Sequence, residues 1–229
     1  MPTLRTDRRR SRPRRRLKAL SALSASAALA VGVATGTPAH ADNFGNNPTE
    51  PNKRPSLANN RNHLVRFSLD GPYSFSLALA YADRMDYYTN FTPVVMSNAG
   101  GGAFDVELTA EDHDHYPWFA DTKCSSGKYV VPVPPQPNRR ACVWDSTTNK
   151  AQEIDNNDQM FSGMSQTEFL HLVCHELGHT LGLRHRFQGE PPSCMDPYAW
   201  TVTTLSSHDK EMLTDWYCTE YPNSPAPCS

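Results

Sequence analysis

The chain has 229 residues, and its 22 Lys and Arg against 24 Asp and Glu give a formal net charge of −2. The charge is unevenly spread: the first 41 residues hold nine basic and one acidic, which leaves 13 basic and 23 acidic in the remainder, or about −10. That balance argues against nucleic acid and anionic membranes as partners, and the 188 residues beyond position 41 suffice for one well-buried core.

The beginning reads as an export signal of bacterial type. Nine Arg or Lys fall within residues 5–18, an uncharged run rich in Ala, Leu and Val follows at Ala19–Ala34, and Pro38-Ala39-His40-Ala41 offers an A-x-A cleavage pattern. A nucleic-acid-binding arm would lack the apolar run and the cleavage site. A membrane anchor needs about 20 strongly apolar residues, so no stable membrane insertion is expected once the signal is removed. Arg14-Arg15-Arg16-Leu17-Lys18 resembles a twin-arginine signal loosely, which leaves the Sec and twin-arginine routes both open. The predicted destination is extracellular.

Residues 42–62 are rich in Asn, Pro and charge and predict a flexible lead-in or a short pro-segment, with the folded domain spanning 63–229. Val65, Phe67 and Leu69 alternate with Arg66 and Ser68 as in a strand. Tyr73–Thr89 predicts a helix with Phe75, Ala78, Leu79, Ala82 and Met85 on its apolar face. Short strands are expected at Thr92–Met96 and Phe104–Leu108, with a glycine-rich turn between them, and weaker ones at Tyr129–Val133 and Ala141–Trp144. Ser165-Gln166-Thr167-Glu168 is a capping box, with Met164 and Phe169 placed as a hydrophobic staple. The helix it opens should run to about Leu181, with Phe169, Val173, Leu177 and Leu181 as an i, i+4 stripe facing the core. A last helix starts near Ser206 or Ser207 and carries Met212, Leu213 and Trp216. This order predicts an α+β domain, one sheet with helices packed on it.

All six cysteines, Cys124, Cys142, Cys174, Cys194, Cys218 and Cys228, lie beyond the signal. An even number in an exported chain implies up to three disulfides, with 15 connectivities open. Nearness along the chain suggests Cys124–Cys142 and Cys218–Cys228, which would leave Cys174 with Cys194.

The most specific signal is His175–His185, which spells HExxHxxGxxH. His175 and His179 are one helical turn apart on one face, about 6 Å along the axis, and can converge on one zinc ion. Glu176 sits about 100° round the helix, where it can flank a zinc-bound water rather than ligate. In a continuous helix His185 would lie about 9 Å beyond His179 and point away, so the helix must stop. Gly182 stands where that turn is needed. Three protein ligands leave a fourth position for water, as in catalytic zinc sites, and Glu176 is placed to act as general base and acid.

The segment Ser165–Tyr217 resembles the metzincin clan of zinc endopeptidases, in particular its small secreted bacterial, matrixin-like members. Ser193-Cys194-Met195-Asp196-Pro197 is similar to the clan's Met-turn, and Leu205-Ser206-Ser207-His208-Asp209 to the opening of its final helix. The resemblance implies a zincin-like fold, one twisted mixed sheet packed on helices, with a long zinc-binding helix and Met195 beneath the metal. It implies one catalytic Zn²⁺ and a protein or peptide substrate, and a monomer is expected. The chain departs from better-known members in three respects. It shows no long propeptide with a cysteine switch, no large calcium-binding segment supports calcium, and Tyr198 stands third after the methionine rather than second.

His171, one turn before His175, has Leu172 where a general base would stand, so it is assigned with Tyr198 to the surroundings of the metal or substrate. Asp112-His113-Asp114-His115 fits either a second metal site or a polar loop. The alternative function is an exported binding or surface protein that uses zinc for stability alone. Loss of Glu176 would mark it, and Glu176 is present.

Overall fold

The computed structural model describes residues 61–100, 103–113, 117–125, 129–130, 141–142, 146–147, 150–186, 191–220 and 228. The export signal and nearly all of the lead-in lie outside them. Strand β1 is Asn62–Leu69, α1 Ser74–Phe91, β2 Val95–Asn98, β3 Val106–Glu111 and β4 Ala120–Cys124. Tyr129–Val130 (β5) and Ala141–Cys142 (β6) form a separate antiparallel pair, and the proline-rich stretch between them is outside the described residues. Gln152–Asn157 (β7) runs into a 3-10 turn at Asp158–Phe161, followed by helices α2, Gln166–Thr180, and α3, Ser207–Glu220.

Five strands form one mixed sheet in the order β2-β1-β3-β7-β4. The first four run parallel and β4 is antiparallel to β7 at the edge. Parallel neighbours need a crossover, and α1 supplies it between β1 and β2. The chain is therefore a mixed α/β fold with one five-stranded sheet and three helices among the described residues. No described helix is long and apolar enough to cross a membrane.

The two faces of the sheet differ in chemistry. Register places Val65, Val106, Leu108, Ala110 and Ile154 on the helix side, all buried. The other side carries linked charges: Lys150 Nζ bonds Glu107 and Glu153, and Lys123 Nζ bonds Glu153 and Asp155.

Strands β4 and β7 were not legible as strands. On the helix side β7 reads Gln152, Ile154, Asn156, a polar–apolar–polar order that looks like a loop. Helices satisfy those polar groups: Gln152 Nε2 donates to the Thr180 carbonyl at 3.0 Å, and Asn156 Oδ1 accepts from the Tyr81 hydroxyl at 3.1 Å.

Of the apolar face expected of α1, Met85 is buried and the rest is corrected. Phe75 is 73% exposed and Leu79 53%, while Leu77, Ala80, Tyr81, Met85, Tyr87 and Tyr88 are buried. The burial follows the same 3–4 residue spacing, offset around the helix. Tyrosines set the offset, because each buries its ring and keeps a partner for its hydroxyl. Tyr88 donates to the Cys174 carbonyl at 2.7 Å, and Tyr87 accepts from the Leu205 amide at 2.9 Å.

α2 starts on the expected capping box. The Glu168 amide donates to Ser165 Oγ, and the Ser165 amide to Glu168 Oε2. Phe169, Val173, Leu177 and Leu181 are all buried, and α3 buries Leu213 and Trp216. The disulfides are Cys124–Cys142, Cys174–Cys194 and Cys218–Cys228, the pairing that nearness along the chain suggested.

Candidate metal centre

The site lies where α2 ends, and that end is closed with unusual completeness. The last four carbonyls of a helix have no partner within it. Here the Gly178 carbonyl accepts from the Leu181 and Leu183 amides, and the His179 carbonyl from the Gly182 amide. The Thr180 carbonyl accepts from Gln152, and the Leu181 carbonyl from the Tyr217 hydroxyl at 3.0 Å. The Thr180 hydroxyl donates to the Leu177 carbonyl at 2.8 Å, so it accepts from Nε2 of the buried His63, 3.0 Å away on β1. Gly182 takes φ +97°, the left-handed conformation that the third histidine requires of it.

That turn brings His185 back. Among the described residues, His175, His179 and His185 form the one group of three metal-ligating side chains whose ligand atoms all lie within 4.8 Å of one another. His175 and His179 are buried, and His185 is exposed. His175 Nδ1 lies 2.8 Å from the Cys194 carbonyl, and His179 Nδ1 2.7 Å from the Leu183 carbonyl. Carbonyls only accept, so each Nδ1 carries a proton and each Nε2 a lone pair.

Those two Nε2 atoms face one another at 3.0 Å. Burial is the main force holding both rings neutral. It is reinforced by the neighbouring histidines and opposed by the carbonyl bonds, and it leaves His175 well below its ordinary value and His179 at about 3. Two lone pairs so close in a dry site repel one another, and a shared cation removes that repulsion. Three imidazole nitrogens with two fixed tautomers fit a divalent transition metal, so these side chains can hold a metal ion.

Glu176 points elsewhere, as its place on the helix requires. It is buried, and its Oε2 accepts from the Thr122 hydroxyl of edge strand β4 at 2.6 Å. Register puts Thr122 beside Ile154, on the helix side of the sheet. Burial pushes the Glu176 carboxyl up to about 8, the Thr122 hydrogen bond opposes the rise and Asp121 adds to it.

Met195 is wholly buried in a turn where the Asp196 amide bonds the Ser193 carbonyl at 3.1 Å. A Cβ on Gly178 would overlap the Met195 sulfur and crowd the Tyr88 hydroxyl. The glycine inside the motif is thus set by how closely Met195 approaches α2. The Cys174–Cys194 disulfide joins the helix to this turn.

His171 faces the His175 ring at 6.0 Å, and its Nδ1 donates to the Val202 carbonyl at 2.8 Å. Trp200 packs between His171 and Phe119, with ring centroids at 5.1 and 4.8 Å. Tyr198 is 79% exposed, and its amide bonds Asp196 Oδ1. Asp114 and His115 lie outside the described residues. His113 donates from Nε2 to Asp155 at 2.9 Å, and its ring lies tilted against Trp118.

Sequence reasoning missed Thr122, Gly178, Tyr88, His63 and the buried pair Arg186–Asp209. Gly178 lies inside the motif, and Asp209 in the run that resembles the opening of the final helix; the others come from far along the chain or lack any pattern.

No family model matches the chain, and no curated protein does. Two solved structures of myroilysin are similar to it. One is 16% identical over 54% of this chain and 48% of that one, with a TM-score of 0.33. The other is 13% identical over 73% of this chain and 86% of that one, with a TM-score of 0.40. The chain thus spans about half the length of the first.

Proposed function

We propose that the chain is a secreted zinc-dependent endopeptidase of the metzincin type. The observation that carries this reading is the cluster of three imidazoles at the end of one helix, with the buried Glu176 on the same helix. The ligands are His175, His179 and His185. When bound there, zinc supplies Lewis acidity toward a peptide carbonyl and toward water. Glu176 is the general base in its ionised form, which a cation held by the imidazoles would favour against burial: it takes the proton of the attacking water and returns it to the leaving amine nitrogen. Thr122 holds one carboxyl oxygen at 2.6 Å and leaves the other to move the proton. Met195 buttresses the helix from beneath as a Met-turn.

An extended protein or peptide substrate lies along β4, the strand at the sheet edge. The loop from Pro197 to Leu205 forms part of the specificity pocket, with Trp200 as its aromatic wall. Three disulfides and the signal-like N-terminus support an extracellular place of work. The protein acts as a monomer.

Casein cleavage by purified protein, with and without a zinc chelator, tests the reading, together with Glu176→Ala. The expected wild type carries one zinc and cleaves, and the chelator stops it. Glu176→Ala keeps zinc and loses about 10²–10⁴-fold in rate, the usual share of a general base. A zinc-loaded wild type that cuts neither casein nor a peptide library would leave the exported zinc-stabilised binding protein as the better account. Cleavage by Glu176→Ala at the wild-type rate would remove the assigned mechanism.

A further inference from the structure

His185 is exposed and sits beyond the helix, so the spacing along α2 does not place it. Its placement comes from its neighbours on either side. Leu183, two residues before, is wholly buried, and its amide bonds the Gly178 carbonyl at 3.0 Å. Arg186, one residue after, is buried at 2% exposure, rare for an arginine. Its main-chain amide donates to the Met195 carbonyl at 2.9 Å, and its guanidinium reaches Asp209, wholly buried in the first turn of α3, at 3.4 Å.

Asp209 is where three segments meet. Its Oδ2 accepts from the Ser193 hydroxyl at 2.6 Å, the Ser206 hydroxyl at 2.6 Å and the Ser206 amide at 3.1 Å. Arg186 also bonds the Ser206 hydroxyl directly. Ser193 opens the turn that carries Met195 and accepts from the Met195 amide at 3.1 Å. One carboxylate therefore caps α3, fixes the methionine turn and neutralises the residue next to the third imidazole.

We infer that Arg186, through its buried pair with Asp209, is a positioning residue for His185: it holds the third ligand in register with the two on α2. The inference rests on the metal reading of the site. A buried pair is weak evidence for stability, since a neutral replacement of both partners often folds as well. Its value here lies in geometry, because the pair ties a ligand-bearing segment outside the helix to two other segments.

The experiment measures zinc affinity by chelator competition, the visible spectrum of the Co²⁺-loaded protein, and the Tm of apoprotein. It compares wild type with Arg186→Lys, Arg186→Met and the double variant Arg186→Met/Asp209→Asn. The double variant leaves no unpaired buried charge and keeps an acceptor for both serines, so it folds where the single Met variant fails. Expected are a zinc affinity about 10–100-fold weaker in the double variant, the usual effect of losing a ligand's support, an altered Co²⁺ spectrum, and an affinity closer to wild type in Arg186→Lys. An apoprotein Tm for the double variant close to wild type would separate positioning from stability. Zinc affinity within twofold of wild type and an unchanged Co²⁺ spectrum in the double variant would overturn the inference. A wild type that binds neither Zn²⁺ nor Co²⁺ would instead overturn the metal reading beneath it.

Discussion

The three imidazoles come from two regions held by different means. His175 and His179 ride on a helix, where a four-residue step alone brings two side chains together. His185 follows in a stretch that is neither helix nor strand, held by the Met195 carbonyl and by Asp209, 24 residues further on. Local geometry makes the first half of the cluster and tertiary contacts make the second. The halves should therefore fail separately, and the first three variants below act on one half or on the join, while the fourth lies away from both.

The largest effect is expected at the join. Replacing both Cys174 and Cys194 by Ala removes the covalent link between α2 and the turn, costing about 2–4 kcal/mol in urea unfolding. It also frees the Cys194 carbonyl that orients His175, so zinc should dissociate faster. Unchanged stability and zinc off-rate would mean that packing alone holds the halves together.

Gly178→Ala comes next and strikes where the halves touch. The added methyl meets the Met195 sulfur, and overpacking of this kind costs about 1–3 kcal/mol. A thermal melt equal to wild type would show that Met195 yields freely. Ser165→Ala tests the helix half alone: loss of the cap should cost about 1 kcal/mol while zinc affinity stays unchanged. A weaker zinc site in that variant would mean that fraying at the start of α2 reaches its far end.

The smallest effect lies on the outer face of the sheet, away from both halves. Burial alone would raise the Asp155 carboxyl, but hydrogen bonds from His113 and Lys123 outweigh it and hold the group below its ordinary value. A depressed carboxylate stabilises the fold above its unfolded pKa, and that share disappears as pH falls through the folded value. Asp155→Asn should therefore flatten the acid limb of stability against pH and leave the neutral plateau little changed in slope. An acid limb as steep as wild type would show that other carboxylates govern it.

The same division explains what the sequence could reveal. α2 was legible almost to the residue, because a capping box, an i, i+4 stripe and a glycine after the last turn are all local signals. β7 was not, because Gln152 and Asn156 face the core and are satisfied only by Thr180 and Tyr81. The buried face of α1 departs from the expected one for a related reason: its tyrosines bury their rings because their hydroxyls meet partners on other elements. The donor set could be named in advance, but not Thr122 behind Glu176, because 54 residues separate them and no pattern joins them.

The two ends of α2 also predict how it opens. It begins at an exposed cap and ends on carbonyls tied to the sheet, to α3 and to its own turn. Amide hydrogen exchange should therefore run along the helix as a gradient, fast near Gln166 and slowest around Gly178. The helix would breathe from the end remote from the imidazoles, and these would keep their spacing through fluctuations that loosen its first turns.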